Sequence, residues 1–344
     1  MSEQTQRTKL KSFAEVKPME ARFLLAPYLR AGNLNLIRGD GGSGKTMLSF
    51  AFIAAVTHGE TPPGMPGVLN CPPSNCIYFG AEDDAEEYRH RLDLCGADAQ
   101  KVFTVDPRDM PTLDAVAQIR AYILETDAKL IVIDPIQAFL PPKTDLNDSA
   151  SMRPLLDGLR EVCRSTDCTC IIIEHLNKCT KMKAAYRGIG TVDIINASRS
   201  AIFVGYHPSE IGMRAAVHIK ANAGYGDSIA FRIGDNGAFQ WCGACDVTED
   251  QVAEALRTDQ KKQPTSSPVL EIICALMRNH PDGWHGTTSQ ILAETSALCG
   301  KYGITSSGSL GKSIPGIEDA LKQKGIGHTY KPSGREHWFS RISK

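Results

Sequence analysis

The sequence predicts an α/β protein with a mainly parallel, twisted sheet and a second, smaller domain at the C-terminus. Three observations predict it: a glycine-rich segment between an apolar strand and an apolar helix, short apolar strands that alternate with helices, and a polar segment at residues 258–268 that divides the chain. Strands that are apolar throughout are typical of parallel sheets covered by helices on both faces. With 344 residues, 42% of them hydrophobic, the chain can bury such a core.

The glycine-rich segment satisfies the P-loop pattern G-x-x-x-x-G-K-[ST] at every fixed position. In this pattern glycines let backbone N–H groups turn towards phosphate oxygens, Lys45 reaches the β- and γ-phosphates, and the Thr46 hydroxyl is a Mg²⁺ ligand. The following helix, from Met47, directs its positive end at the same anion. The predicted site for ATP and Mg²⁺ consists of Gly39, Asp40, Gly41, Gly42, Ser43, Gly44, Lys45, Thr46 and Met47.

Around the P-loop, apolar runs and helical periodicity predict the remaining elements of a domain at residues 21–257, after a flexible lead-in at 1–20. We expect a surface loop at 57–73, where glycine and proline are frequent. The predicted helices are 47–56, a helix ending at 94, 113–125 and 154–164. The predicted strands are short ones within 23–37, then 76–81, 101–105, 130–133, 169–173, 200–205 and 215–219, with a hairpin of 230–233 and 238–241.

The C-terminal segment, residues 269–344, is predicted to be a winged-helix-like domain after a linker at 258–268. Helices are expected at 269–278, at 287–295 and within 311–324, followed by two strands within 325–340, which is the order of a winged helix. Its basic residues outnumber its acidic ones, which favours DNA binding, although a protein-docking role stays open. The candidate DNA contacts on the predicted recognition helix and wing are Lys312, Lys322, Lys331 and Arg335.

Three polar side chains follow apolar strands, where catalytic groups of a P-loop ATPase are expected beside the P-loop strand. Asp134 is placed to orient Mg²⁺ or its waters, or it is a turn aspartate before proline. Glu82 is placed to polarise the attacking water, or it is a charge at a helix N-terminus. His175 senses the γ-phosphate, or it is an ordinary, partly buried histidine.

A cationic stretch at residues 177–190 directly follows the predicted sensor. It combines basic residues with an aromatic residue and glycines, so it can bind a phosphate backbone, although a solvated run of charges is the alternative. The candidate nucleic-acid contacts here are Lys178, Lys181, Lys183 and Arg187.

The motifs from residue 13 to 205 resemble those of the RecA-like ATPases of the hexameric replicative helicase group, most closely the plasmid RepA type and related phage and mobile-element ATPases. The matching stretches are GDGGSGKT, YFGAEDDAEEYRHRL, LIVIDPIQAF, IIIEHLNK and YRGIGTVDIINASRSAIFV. The resemblance implies a RecA-like P-loop core with Glu82 as catalytic glutamate, Asp134 as Walker B aspartate and His175 as sensor. It also implies that Arg199 is an arginine finger donated to the neighbouring subunit. Related helicases carry Lys-x-Arg on a late strand, and because only Lys220 remains here, Lys220 is a second candidate.

The resemblance implies an oligomeric, hexameric ATPase that acts as a helicase or translocase on single-stranded DNA in replication of a plasmid, phage or mobile element. Initiator or primase proteins are possible partners. The alternative is an ATP-gated DNA-binding regulatory or recombination ATPase that does not unwind DNA.

Charge, polarity and cysteine placement indicate how the protein could bind nucleic acid, membranes or metals. A formal net charge of −1 means that nucleic-acid binding must depend on local patches. A polar N-terminus and the absence of a long apolar run favour a cytoplasmic protein without a membrane partner. The eleven cysteines are scattered, and only Cys242 and Cys245 form C-x-x-C. That pair suggests a redox or metal site, but buried free thiols in a reducing compartment are the expected state.

Overall fold

The computed structural model describes residues 11–142, 144–145, 148–176, 191–210, 212–234, 236–259, 268–301, 304 and 306–342. The chain divides into two compact units between Ala255 and Leu256. The helices of the larger unit are α1 Lys45–His58, α2 Ala85–Leu94, α3 Val116–Thr126, α4 Ser149–Thr166, α5 Thr191–Ala197 and α6 Glu249–Asp259, which crosses the dividing point. Its strands are β1 Phe23–Ala26, β2 Leu29–Arg30, β3 Leu34–Gly39, β4 Val68–Leu69, β5 Asn75–Gly80, β6 Val102–Phe103, β7 Ala128–Asp134, β8 Thr169–His175, β9 Ser200–Tyr206, β10 Met213–Ala221, β11 Ser228–Ile233 and β12 Phe239–Cys245.

A nine-stranded sheet in the order β12-β11-β10-β9-β3-β8-β7-β5-β6 forms the centre of this unit. Six neighbouring strands of this sheet run parallel, namely β6, β5, β7, β8, β3 and β9. The strands β10, β11 and β12 continue the sheet in antiparallel orientation. Residues 207–212, between β9 and β10, are too few for the dozen or so that a parallel crossover needs. The predicted fold class, an α/β protein with a mainly parallel sheet, is confirmed, and so is the predicted β11–β12 hairpin.

One expectation about the sheet is wrong. The P-loop strand β3 has β8 and β9 as its neighbours, so β7, which carries Asp134, lies one strand further away and β5 lies beyond it. Only His175 comes from a strand that adjoins β3. The region 57–73 also differs from the predicted loop, because it contains the end of α1 and the short strand β4, which pairs with β1.

Two apolar layers cover the sheet. One contains the buried face of α1 with Phe50, Phe52 and Ile53, packed on Ile37 and Ile173 of the sheet. The other contains residues of α3, α4 and α5 against alternate residues of the same strands. Because helices cover both faces, the central strands are buried along their whole length, which explains their continuous apolar runs.

The smaller unit contains helices and a three-stranded antiparallel sheet in the order β13-β15-β14. Thr287 caps its second helix and forms a capping box with Gln290. The third predicted helix lies at Glu318–Gln323, within the range 311–324, and a 3₁₀ turn containing Pro315 precedes it, because proline lacks the N–H that a continuous helix requires. The elements are α7 Pro268–Asn279, β13 Trp284–Thr287, α8 Thr288–Glu294, α9 Ser296–Lys301, α10 Ser307–Ser313, α11 Glu318–Gln323, β14 Ile326–Lys331 and β15 Glu336–Arg341.

A buried histidine on β10 of the larger unit is connected through Ser200 of β9 to the turn between β1 and β2. The backbone N–H of Gly226 donates to His218 Nδ1 at 2.9 Å, so Nε2 carries the proton and donates to Ser200 Oγ at 2.8 Å. The Ser200 hydroxyl in turn donates to the Tyr28 carbonyl at 2.5 Å. Burial lowers the pKa of His218 from 6.5 to about 4. A proton added at Nδ1 would face the Gly226 N–H, which is itself a donor, so the ring stays neutral.

This histidine predicts a loss of stability in acid. Below pH 6.5 the unfolded chain binds a proton at His218 and the folded chain does not. The free energy of unfolding therefore falls as the pH falls towards 4. Between pH 7.5 and pH 5 we expect this residue to cost about 2 kcal/mol of unfolding free energy. Urea unfolding of wild type and His218→Gln at both pH values measures it. Equal pH dependence in the two proteins would contradict the prediction.

Candidate functional site

The P-loop joins the end of β3 to the start of α1 at the carboxyl edge of the sheet. Lys45 is the first residue of α1, and its Nζ donates to the Asp40 carbonyl at 2.8 Å, across the loop. Its side chain is buried, which lowers its pKa to about 8, although Asp134 and Asp40 oppose the shift. A buried cation held inside a loop of backbone amides is suited to bind an anion.

The loop glycines meet two different requirements. A Cβ on Gly39 would lie 2.2 Å from the Val204 carbonyl oxygen, so close packing on β9 requires glycine there. Gly44 has φ +96°, in the left-handed region. A Cβ on Gly41 or Gly42 would meet nothing within 4 Å, so the loop is open on that side. The open side is large enough for phosphate groups to approach the backbone.

Asp134 ends β7 and is almost fully buried beside the P-loop. Thr46 Oγ1 donates to its Oδ2 at 2.6 Å, and the Tyr78 hydroxyl donates to the same oxygen at 2.8 Å. Its Oδ1 is buried and has no hydrogen-bond partner among the described residues. Because buried carboxylate oxygens are normally satisfied, Oδ1 is a free acceptor for a cation or its water. Burial, and next the charge of Asp134, raise the pKa of Tyr78, which therefore stays a donor.

His175 and Glu82 meet above the ends of β8 and β5. His175 Nδ1 lies 3.4 Å from Glu82 Oε1. Burial lowers the pKa of His175, and Lys45 lowers it further, against Glu82 and Asp134, so the ring is neutral at pH 7. The Tyr88 hydroxyl accepts the backbone N–H of Glu82 at 2.9 Å and holds the turn. Glu82 is exposed, so its carboxylate can reach a water at this edge.

A family model described as an AAA domain matches residues 2–181. This match covers more than half of the chain. The chain belongs to this AAA domain family. Its P-loop and its family make the protein a P-loop ATPase.

Among solved structures, this AAA domain protein is similar to the KaiC-like protein PH0186 of the hyperthermophilic archaeon Pyrococcus horikoshii OT3. The two are 18% identical, the match covers 65% of this chain and 99% of that chain, and the TM-score is 0.45. No curated protein matches this chain.

Sequence reasoning missed two charged groups near the P-loop of this AAA domain. Arg38 Nε lies 3.6 Å from Glu174 Oε2, and both side chains are fully buried. Burial raises the pKa of Glu174 to about 7, against the charges of Arg38 and Lys45. The signal was available, since opposite charges interrupt two apolar strands one residue before Gly39 and one before His175.

A further charged residue that the sequence does not mark, Arg214, comes from β10. The aliphatic part of Arg214 packs on Gly44, where a Cβ would lie 2.8 Å from its Cδ. Its guanidinium lies over the Tyr206 ring, 5.5 Å from the centroid, and the Tyr206 hydroxyl donates to the Gly42 carbonyl at 3.4 Å. Arg214 therefore adds a positioned cation beside the phosphate-binding loop. Only the fold brings it there, because no local pattern marks it.

The two finger candidates lie at the opposite, amino edge of the sheet. The backbone N–H of Arg199 donates to the Leu34 carbonyl at 2.8 Å, at the start of β3. Five residue steps along β3 separate that point from Gly39, or about 17 Å, which is much longer than an arginine side chain. Lys220 Nζ donates to the carbonyls of Ile195 and Asn196 at 2.6 and 3.1 Å and so caps α5. Arg199 is exposed, whereas Lys220 is already engaged within its own chain.

The other predicted residues are only partly described. Lys178, Lys181, Lys183 and Arg187 lie outside the described residues. In the smaller unit Lys331 Nζ lies 3.7 Å from the centroid of the Trp338 ring, and Arg335 lies in the exposed β14–β15 turn with φ +51°. Lys322 is exposed on α11, and Lys312 belongs to α10.

The described cysteines are all free, and Cys242 and Cys245 lie on the strand β12. No group of three or more metal-binding side chains occurs in the part of the chain that the structure describes. In those same residues, no helix has both the length and the apolar character needed to cross a bilayer.

Proposed function

We propose that this protein is an oligomeric, Mg²⁺-dependent ATPase that moves on single-stranded DNA as a helicase or translocase, in replication of a plasmid, phage or mobile element. The observation that carries the proposal is the position of Arg199, about 17 Å along β3 from the P-loop of its own chain. An exposed arginine so far from its own phosphate site is available to a phosphate held by another copy. A repeated contact of this head-to-tail kind forms a ring where the rotation between copies closes and a filament where it does not, and we propose a closed ring, a hexamer.

The P-loop residues fit ATP with Mg²⁺. The open side of Gly41 and Gly42 exposes backbone amides, and Lys45 supplies the charge. Because the Thr46 hydroxyl donates its proton to Asp134, its lone pairs stay free for a cation, and Asp134 Oδ1 is a second free acceptor. These two residues would hold Mg²⁺, directly or through its water. When bound, Mg²⁺ neutralises charge on the phosphates and so favours attack on the terminal one.

The chain's own side chains would then perform the remaining tasks. Glu82 orients and polarises the attacking water, with its carboxylate positioned by His175. The neutral His175 ends β8, which pairs with the P-loop strand β3, so a change at the bound phosphates would alter the hydrogen bonds of His175. From the next copy, Arg199 provides a fixed, delocalised charge to the transition state.

The proposal for DNA rests on the family resemblance and on local cations. The smaller unit presents Lys331, Trp338 and Arg335 on its hairpin, a combination of charge and aromatic surface that suits nucleic acid. Initiator or primase proteins would load the ring.

A forked duplex tests the function. We expect single-stranded DNA to stimulate ATP hydrolysis and ATP to drive separation of a fork with one tailed strand, with Lys45→Ala as the inactive control. DNA-stimulated hydrolysis without strand separation would contradict the motor and favour the ATP-gated regulatory or recombination protein. Hydrolysis that DNA does not change would contradict both.

A further inference from the structure

Four arginines converge on one cavity at the amino edge of the sheet. The cavity has a volume of about 390 Å³, and its lining includes Arg22, Arg30, Arg164 and Arg199, together with Asn222. Two of these arginines have carboxylate partners: Arg22 pairs with Asp167 at 2.6 Å, and Arg164 pairs with Glu161 at 3.0 Å. Arg30 and Arg199 make no ion pair with the described residues, so the cavity carries positive charge that its own chain does not neutralise.

Arg30 is held in place by its backbone. Its N–H donates to Asn35 Oδ1 at 2.7 Å, and Asn35 Nδ2 donates back to its carbonyl at 3.2 Å. Its guanidinium lies over the Phe23 ring, 5.0 Å from the centroid, and its Nε is buried without a hydrogen-bond partner among the described residues. A positioned, partly desolvated guanidinium with an unused donor is prepared for an anion.

Arg30 and Arg199 also influence each other. Burial lowers the pKa of Arg30, and the charge of Arg199 lowers it further. Asn222 orients Arg199, since in its satisfied orientation the amide oxygen accepts from Arg199 Nη1 at 3.2 Å. Two like charges held together in one cavity repel each other, and a ligand with two or more negative charges removes that repulsion.

We propose that this cavity receives the terminal phosphates of the nucleotide bound by a second copy of the chain, with Arg30 as a phosphate-binding residue beside Arg199. The inference rests on the proposed function, because it requires the head-to-tail contact. It adds a second cation to the shared site, from a strand that precedes the P-loop in sequence. It also assigns to Arg30 the role that the sequence left open for Lys220, whose ammonium caps α5.

Mixing two inactive proteins tests the role of Arg30. We expect Arg30→Ala to lower kcat for ATP hydrolysis by about 10²-fold, the effect of losing one preorganised donor to the transition state. Mixed with Lys45→Ala, it should regain activity, because an Arg30→Ala copy still has an intact P-loop and the Lys45→Ala copy still supplies Arg30. If Arg30 acts instead on the ATP site of its own chain, this mixture regains no activity. Arg160→Ala is the matched control: Arg160 lies on α4, pairs with Asp157 and does not line the cavity.

The outcomes separate this inference from the proposed function. Recovery with Lys45→Ala, together with unchanged thermal unfolding of Arg30→Ala alone, supports Arg30 as a residue acting on the neighbouring site. Normal hydrolysis by Arg30→Ala, or no recovery while an Arg199→Ala mixture recovers, overturns the inference and leaves the shared site standing. Loss of assembly in the absence of nucleotide also overturns it, because the cavity would then bind acidic side chains of the next copy.

Discussion

Replacing Arg199 by alanine is expected to lower kcat for ATP hydrolysis by about 10³-fold or more, the range reported for loss of an arginine finger. ATP affinity should change less than kcat, because the P-loop of the neighbouring copy, with its Lys45 and Thr46, still binds the phosphates, whereas the charge of an arginine finger acts mainly in the transition state. Steady-state hydrolysis and equilibrium binding of a fluorescent ATP analogue measure the two effects separately.

The control for this prediction is Lys220→Ala. Its ammonium caps the last carbonyls of α5, so we expect its loss to reduce stability by about 1 kcal/mol and to leave hydrolysis per folded molecule nearly unchanged. If Lys220→Ala abolishes hydrolysis and Arg199→Ala does not, the finger is Lys220.

Replacing Lys45 by alanine is expected to reduce kcat/KM for ATP by about 10²–10³-fold, because the phosphates lose a buried charge. The pH dependence follows from the lowered pKa. Below about pH 8 the amine is charged before ATP arrives; above it, binding must take up a proton, because phosphates favour the charged form. Affinity should therefore weaken by up to about tenfold per pH unit above pH 8.

Binding measured from pH 7 to pH 9.5 with wild type checks this dependence. Lys45→Arg is the matched control, since a guanidinium stays charged over the whole range. A wild-type affinity that is constant up to pH 9.5 would show that the amine is charged throughout.

The local parts of the site could be predicted from the sequence. The P-loop, the strand before it and the helix after it occupy consecutive residues, so their spacing alone predicts the loop. Asp134 and His175 follow apolar runs, and parallel strands bring their carboxyl ends to one edge. The fold class follows from the same alternation of strands and helices.

Strand order and contacts between distant residues could not be predicted in this way. Nothing in the sequence indicates that β8 lies between β3 and β7, so the expected neighbours of the P-loop strand were wrong. The Tyr78 hydroxyl reaches Asp134 because β5 and β7 pair in a particular register. Arg30 and Arg199 meet because both are tied to the start of β3, Arg30 through Asn35 and Arg199 through the Leu34 carbonyl. The start of α11 is different, since Pro315 is visible in the sequence and prevents a continuous helix across 311–324.

The central claim is that each ATP site is shared between two copies. It is tested most directly by the ATP hydrolysis of an equimolar mixture of Lys45→Ala and Arg199→Ala proteins, each inactive alone. Where an Arg199→Ala copy presents its P-loop to a Lys45→Ala copy, one complete site forms, so random assembly restores up to about a quarter of the sites. The account predicts hydrolysis well above the sum of the two proteins measured separately. Activity equal to that sum, in a mixture that still assembles, would contradict it.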